Sequence, residues 1–230
     1  MPVDFSLGWK EKKEPIIKPP YSLDDYLVLQ DVKFEAKATY EGSNKKLLTY
    51  DASLASLRSR GQTRHPRPQE VFGLLIANLE NKVTAEQKSI AEDMLNSYGE
   101  WLSAAMERNK DKLTIYTDPE GLVWNGSTYV MENFTFESKR DFSIAGIPST
   151  KLVDLNQFGN DLVEFLYTRK FAQLPQAMCE DGKRAQLYLP ADGQILPAGR
   201  GSFGSRFYVG SYNYNNRASR GVVPSSRAKK

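Results

Sequence analysis

The 230-residue chain has few of the residues on which many catalytic and metal sites depend. It contains one histidine, His65, and one cysteine, Cys179. A single cysteine excludes an internal disulfide framework and is typical of a reducing compartment. One histidine and one cysteine far apart in the chain cannot supply a structural zinc site. The sequence therefore predicts no metal site.

Long apolar runs are also missing. No run approaches the roughly 20 apolar residues needed to cross a bilayer. Residues 1–20 have neither the apolar region nor the small-residue cleavage site of a signal peptide. We therefore expect no membrane partner and a cytoplasmic location in the producing cell, or a place in a virion if the protein is a particle component.

Acidic residues are absent after Asp192. The 38 residues that follow carry seven bases, whereas the rest of the chain has 24 basic and 28 acidic residues. A mildly acidic body with a basic tail is typical of an interaction arm rather than of a uniformly basic nucleic-acid binder.

The composition divides the chain into three segments. Residues 1–20 predict an extended N-terminal arm, because Pro15, Pro19 and Pro20 cannot sustain a helix. Residues 21–198 predict a folded body. Residues 199–230 are rich in Gly, Ser, Asn, Arg and Tyr and predict a basic C-terminal arm.

Two helices are predicted in the middle of the body. Pro68 suits the first turn of one helix, which its apolar residues continue. Residues 84–87, Thr-Ala-Glu-Gln, match a capping box at the start of the next. Apolar residues at three- and four-residue spacings behind it predict an amphipathic helix from about Ala85 to Asn109, with Trp101 in the core. Because the connection is short, the two helices are expected to form a helical hairpin.

Strands are predicted on both sides of these helices. Apolar residues alternate with polar ones from Val32 to Tyr40, and residues 46–50 suggest a returning strand. After Leu113 the period is again two, and Asn125-Gly126 is a strong hairpin signal. The outgoing strand, residues 129–142, is irregular near Glu132, where a bulge is expected.

A third helix is predicted after Asp154, through about Arg169. The whole pattern predicts an α+β fold. Antiparallel β-hairpins would pack on the amphipathic helical hairpin and the third helix, and extended N- and C-terminal arms would flank this body.

Neither His65 nor Cys179 is predicted to be catalytic. His65 stands between Arg64 and Pro66, and adjacent guanidinium groups favour its neutral form. The chain contains no Gly-x-Ser-x-Gly elbow that could hold a nucleophile for it. Cys179 precedes Glu180 and Asp181, whose charges would oppose a reactive thiolate.

Two further patterns resemble functional motifs but do not predict a functional site. Residues 199–204 fit the dinucleotide fingerprint G-x-G-x-x-G, but no strand before them and no helix after them is predicted, so no cofactor is expected. Five carboxylates could cluster across the predicted hairpin and act as acids and bases, but they suit the solvated face of a sheet better. They are Asp118, Glu120, Glu132, Glu137 and Asp141.

Two basic segments are predicted to contact partners, because arginine forks bind carboxylates and phosphates and aromatic rings anchor interfaces or stack on bases. The first is the basic loop, residues 57–68, with Arg58, Arg60, Arg64 and Arg67. The second is the C-terminal arm, with Arg200, Arg206, Phe207, Tyr208, Tyr212, Tyr214, Arg217 and Arg220.

These observations predict a non-enzymatic structural subunit of a multi-subunit assembly, in contact with copies of itself and with other subunits. A phage or virus-like particle component, such as a tail, neck or baseplate protein, is the concrete form of this hypothesis. The alternative is an accessory protein that binds nucleic acid through the same arginines. A steep loss of binding with rising salt would distinguish the alternative.

Overall fold

A computed structural model of the chain describes residues 32–39, 47–97, 99–148, 152–179, 185–203, 206–211 and 217–224. Its helices and strands confirm the α+β class. The helices are α1 (Tyr50–Ser59), α2 (Pro68–Leu79), α3 (Ala85–Asn96), α4 (Asn160–Tyr167) and α5 (Gln176–Cys179). The strands are β1 (Val32–Phe34), β2 (Glu100–Asn109), β3 (Lys112–Thr117), β4 (Glu120–Trp124), β5 (Tyr129–Thr135), β6 (Ser138–Ser143), β7 (Leu152–Asp154), β8 (Ala185–Tyr188), β9 (Ile195–Phe203), β10 (Arg206–Ser211) and β11 (Val222–Pro224).

Seven strands form one mixed sheet in the order β6-β3-β2-β9-β10-β8-β7. Neighbouring strands are antiparallel except β8 and β10, which run parallel. Two smaller antiparallel sheets, β1–β11 and β4–β5, each have two strands. We call β4–β5 the ribbon.

Residues of β2 enter two different hydrophobic cores. Leu102 and Met106 belong to the large core, which includes apolar residues of α2, α3 and α4. Trp101 and Ala105 belong to a small core with Tyr50 of α1 and residues of the ribbon. Because neighbouring side chains of a strand point to opposite faces, the helices α2–α4 cover one face of the sheet. Helix α1 and the ribbon pack on the other.

The predicted helix from Ala85 to Asn109 is wrong in its second half. Helix α3 ends at Asn96, and residues 100–109 form β2 in the interior of the sheet. Gly99, at φ +101°, stands between them in a conformation that favours glycine. Strand β2 is buried on both faces, and periodicity cannot distinguish a short buried strand from part of a buried helix. Trp101 is nevertheless fully buried, as predicted for a core residue.

The first strand is shorter than predicted and has a distant partner. It ends at Phe34, which lies opposite Val222 of β11. In place of the predicted returning strand, Leu48 forms an isolated bridge to Arg217, and Tyr50 begins α1. Alternation along a sequence identifies the face of a strand but not its partner.

The prediction of a separate C-terminal arm needs correction. Its expected start at residue 199 falls inside β9, and β9 and β10 are interior strands of the seven-stranded sheet. The described part of this segment therefore belongs to the body. One of its glycines has a packing role, because a Cβ on Gly201 would lie 2.0 Å from Cζ of Tyr208. The predicted N-terminal arm, residues 1–20, lies outside the described residues.

Short-range sequence signals were more accurate. Thr84 Oγ1 accepts a hydrogen bond from the Gln87 amide at 3.2 Å, and the Thr84 amide donates to Gln87 Oε1 at 2.9 Å. Pro68 is the first residue of α2, and Asn125-Gly126 lies in the turn of the ribbon. These predictions are confirmed because each depends on residues a few positions apart.

The other two predicted elements are each divided. The strand expected over residues 129–142 becomes β5 and β6, which belong to different sheets, and the pairing of β5 is irregular between Met131 and Thr135. The helix expected from Asp154 to Arg169 becomes a short 3-10 turn followed by α4.

Candidate functional site

The first two arginines of the basic loop pair with carboxylates of the same chain. Arg58 contacts Glu120 at the start of β4, and both side chains are about half exposed. Arg60 donates through Nε to Oε1 of Glu35 at 3.1 Å and through Nη2 to Oε2 at 3.2 Å. Because Arg60 makes two parallel hydrogen bonds to Glu35, the geometry of this ion pair is more narrowly defined than that of Arg58 and Glu120.

The other two arginines hold a pair of carboxylates. Arg67 Nη2 contacts Asp118 Oδ2 at 2.5 Å and also contacts Glu137. Arg64 Nε lies 3.6 Å from Asp118 Oδ2, and Arg64 Nη2 contacts Glu70 at 2.6 Å. We call Arg64, Arg67, Asp118 and Glu137 the arginine clasp.

The arginine clasp lies at the base of the ribbon. Asp118 directly follows β3 and Glu137 directly precedes β6, so the ribbon leaves the large sheet between these two carboxylates. Asp118 has φ +50°, an unfavourable conformation that is further restricted by the following Pro119. Surrounding contacts must hold such a backbone in place. The clasp supplies these contacts and joins the two ends of the ribbon.

The two carboxyl groups of the clasp differ in acidity. Burial would raise the pKa of Asp118, but the hydrogen bond from Arg67 and the charge of Arg64 lower it below its ordinary value. A hydrogen bond with Asp118, together with partial burial, raises the pKa of Glu137. Asp118 therefore holds the charge of the pair, and Glu137 takes up a proton first as the pH falls.

Tyr50 anchors the ribbon to the small core. Its amide donates to Tyr129 Oη at 2.8 Å, and its hydroxyl donates to the carbonyl of Pro119 at 3.2 Å. Its ring meets Trp101 edge-on with centroids 5.7 Å apart. Burial raises the pKa of Tyr50 above its ordinary value, so its hydroxyl remains a neutral donor. The ribbon is thus held by a core tyrosine as well as by the arginine clasp.

The face of the ribbon that points away from the small core is also apolar. Leu122 and Tyr129 enter the core, and their neighbours Val123 and Val130 form a partly exposed pair across the two strands. Met131, which lies opposite Leu122 on the other face of the ribbon, is 56% exposed. A solvated strand face normally carries polar residues, so these side chains make the ribbon a candidate docking surface.

The ribbon region is acidic and has partly exposed rings beside it. Residues 118–137 contain four acids and no Lys or Arg. Three of these acids contact arginines, whereas Glu132 is exposed and forms no ion pair within the described part of the chain. Tyr116, Phe134 and Phe136 form a cluster with ring centroids 4.9–5.9 Å apart.

Sequence reasoning missed the outer face of the ribbon as a site. A strand pair with apolar residues on both faces and no base between residues 118 and 137 was the available signal. The sequence instead predicted interaction sites at the arginines, because it shows positive charges without showing which carboxylates neutralise them.

Two of the arginines predicted to contact partners are completely buried beside Glu100 of β2. Arg200 of β9 and Arg220 are both 0% exposed and share Glu100 of β2, which is also 0% exposed. Arg200 Nη2 lies 3.2 Å from Glu100 Oε1, and Arg220 Nε lies 3.0 Å from Glu100 Oε2. Ser97 and Asp93 of the α3 region complete these contacts, at 2.6 Å from Arg200 and 2.5 Å from Arg220. In this fold neither guanidinium can contact a partner, so their assignment as interaction residues is wrong.

The remaining residues of the C-terminal arm that were predicted to contact partners differ in burial, and several lie outside the description. Arg217 is 7% exposed, and its Nη1 lies 2.2 Å from where a Cβ on Gly99 would stand. Tyr208 lies across Gly201 and is partly buried against the small core. Arg206 and Phe207 lie in β10, but their side chains are outside the description, as are Tyr212 and Tyr214 altogether.

His65 is neutral, as expected, but for a different reason. Its side chain is fully buried, with its ring centroid 5.3 Å from that of Tyr50. Burial lowers the pKa of His65 to about 3, against the opposing effects of the Arg220 backbone and the Glu100 charge. The charge of Arg60 contributes only a minor part. The histidine thus stands in the interior, where flanking sequence could not place it.

The five carboxylates that the sequence grouped do not form one cluster. Asp118 and Glu137 meet in the arginine clasp, whereas Glu120 pairs with Arg58. Asp141 of β6 accepts a hydrogen bond from Thr114 Oγ1 at 2.7 Å. The fingerprint-like residues 199–203 lie in β9 rather than in a strand-to-helix turn.

The described residues contain no group of three His, Cys, Asp or Glu side chains placed to hold a metal ion. Among the helices of the same residues, none is both long enough and apolar enough to span a membrane.

No family model, curated protein or solved structure matches the chain. Its own contacts are therefore the basis for a functional proposal.

Proposed function

We propose that the protein is a non-enzymatic structural subunit of a multi-subunit assembly and that it docks on neighbouring subunits through the ribbon. The observation that carries this proposal is the apolar outer face of the ribbon. Val123 and Val130 form a partly exposed pair there, and Met131, on the other face of the same strand, is 56% exposed. Contiguous exposed apolar side chains are typical of interaction sites, and methionine and aromatic residues are enriched in interfaces.

The anchoring of the ribbon supports the same proposal. The arginine clasp holds both of its ends, and Tyr50 fixes it to the small core. A surface that is already ordered loses less conformational freedom on binding and so binds more tightly for the same contacts. A phage or virus-like particle component, such as a tail, neck or baseplate protein, remains the concrete form that we propose.

Nucleic-acid binding has less support than the sequence alone suggested. All four arginines of the basic loop contact carboxylates, and three arginines from the C-terminal segment, Arg200, Arg217 and Arg220, are buried. A guanidinium that is paired internally must give up that contact before it can bind a phosphate, so these arginines are poor phosphate ligands.

Mass photometry of the purified full-length chain over a range of concentrations tests the proposal. We expect oligomers in the unmodified protein and a shift to monomers in Val130→Asp, because the substitution puts a charge into the docking face. Leu79→Asp is the matched control, since Leu79 is 37% exposed at the end of α2 and lies outside the ribbon. Oligomers that persist in Val130→Asp, or a monomeric unmodified protein at every concentration, would contradict the proposal.

A further inference from the structure

The backbone on both sides of His65 is bonded to strands of two different sheets. The Arg64 carbonyl accepts a hydrogen bond from the Val222 amide of β11 at 3.0 Å. The Pro66 carbonyl accepts one from the Ser103 amide of β2 at 2.8 Å. The side chain of His65 is fully buried between these contacts. It can therefore reach water only if this segment of the chain moves.

The interior position of His65 is unfavourable for a second ring proton. Within the described part of the chain, neither Nδ1 nor Nε2 makes a hydrogen bond. Burial opposes a charged ring most strongly, and the charge of Arg60 adds to this effect. The Arg220 backbone and the charge of Glu100 favour the proton, but Glu100 is already shared by Arg200 and Arg220. An imidazolium would thus be a buried cation without a counter-ion of its own, which is strongly unfavourable.

His65 also lies next to both attachments of the ribbon. Its ring contacts the ring of Tyr50, with centroids 5.3 Å apart, and the Tyr50 amide donates to Tyr129 Oη of the ribbon. Along the chain, His65 stands between Arg64 and Arg67 of the arginine clasp. A displacement of His65 would therefore disturb the core anchor of the ribbon and the clasp at its base together.

We infer that His65 is an acid-sensitive switch: when its ring takes up a proton, the segment that carries it leaves the interior and releases the ribbon from the large sheet. The proton comes from solvent in the open form, where the ring is exposed, and its charge then opposes return to the interior. This device goes beyond the proposed function and does not depend on the docking role of the ribbon.

The pH range of the switch follows from the acidity of the ring in its two forms. The exposed ring has its ordinary pKa of 6.5, whereas burial lowers the pKa to about 3. The open form therefore binds a proton that the closed form does not, and the closed form loses stability as the pH falls from 6.5 towards 3. Because the opening constant changes about tenfold per pH unit in this range, it should rise about thirtyfold from about pH 7.5 to about pH 5.

The carboxyl groups of the region behave differently in this range. The pKa values of Asp118 and Glu100 are lowered, so these groups lose their contribution only below their ordinary values of 3.8 and 4.5. The pKa of Glu137 is raised, so its protonation stabilises the closed form as the pH falls. An opening of the ribbon on mild acidification thus has the sign expected for His65 and the opposite sign to that expected for Glu137.

The ring can be followed directly in the full-length protein, because His65 is the only histidine. Exchange of its Cε1 hydrogen for deuterium, measured by mass spectrometry across the pH range, reports both its pKa and its exposure. We expect exchange near neutral pH to be much slower than in a histidine peptide. Amide exchange in the same samples, corrected for intrinsic rates, should show the thirtyfold rise at Tyr50 and in β4 and β5, whereas α4 and β8 remain protected.

Three variants assign the effect. His65→Gln and His65→Phe remove the titrating ring, and the second keeps an aromatic ring beside Tyr50. In either variant, opening of the ribbon should change less than about threefold over the same pH range. Glu137→Gln is the matched control, since it alters a titrating group at the base of the ribbon and should retain the full rise. If neither His65 variant folds, the two exchange measurements on the unmodified protein decide the question.

Four outcomes would overturn the inference. They are a ring that titrates near its ordinary pKa in the folded protein, ribbon amides whose opening does not increase on acidification, an increase that persists in the His65 variants, and an equal increase in α4 and β8. The last would mean that acid unfolds the whole chain rather than releasing the ribbon.

Discussion

The two arginine-rich segments look alike in sequence and serve different purposes in the fold. In the basic loop, the arginines lie near the surface and pair with Glu35, Glu120 and the carboxylates of the arginine clasp. In the C-terminal segment, Arg200 and Arg220 lie in the interior and converge on Glu100. The comparison shows that the contribution of an arginine to the stability of the fold depends on how exposed its partners are and on how many it has.

The two regions also differ in what a lost partner would leave behind. Removal of Glu120 leaves Arg58 in water, where its charge is solvated. Removal of Glu100 leaves two guanidinium groups buried without their shared counter-ion, which is strongly unfavourable. Surface arginines can therefore tolerate changes that interior ones cannot.

Glu100→Ala should have the largest effect. We expect it to lower the free energy of unfolding by about 3–5 kcal/mol or to prevent folding, because it breaks a buried charge cluster. Urea denaturation measures the change, and Glu120→Ala should cost no more than about 1 kcal/mol in the same assay. Similar losses for the two variants would mean that the buried and the surface ion pairs contribute equally to stability, which would contradict the predicted difference between the two regions.

Asp118→Asn should have an intermediate effect. Asp118 is about four-fifths buried and is contacted by both Arg64 and Arg67. Hydrogen bonds to charged groups contribute about 1.5–3 kcal/mol, so we expect a loss of stability in that range. Hydrogen exchange should increase in β4 and β5 more than in β9. An equal increase in both regions would show that the clasp does not hold the ribbon specifically.

The smallest effect is expected from the acid titration of the clasp. Carboxyl carbon NMR should show Glu137 taking up its proton at a higher pH than Asp118, because its pKa is raised and that of Asp118 is lowered. A carboxyl group with a raised folded-state pKa stabilises the fold as the pH falls through that pKa. One with a lowered pKa has the opposite effect and loses its contribution at lower pH. The reverse order of titration would contradict the hydrogen-bonded pair.

The contrast between Thr84 and Arg200 shows how far sequence could predict the fold. Thr84 and Gln87 form their capping box from residues three positions apart, and the sequence predicted it. Arg200 finds Glu100 across a distance of 100 residues, which becomes short only when β2 and β9 pair. Predicting the candidate site had the same difficulty, because Arg67, Asp118 and Glu137 come from three separate segments.

The sequence by itself determined the α+β class, the start of α2, the cap of α3, the turn of the ribbon and the presence of Trp101 in the core. These follow from local backbone preferences and from the tendency of large apolar side chains to leave water. Tertiary structure decided that residues 100–109 form a strand, that β9 and β10 lie inside the sheet and that Arg200 and Arg220 are interior. Pairing between distant strands selects these outcomes, because it brings together hydrogen-bond partners and counter-ions that no short stretch of sequence contains.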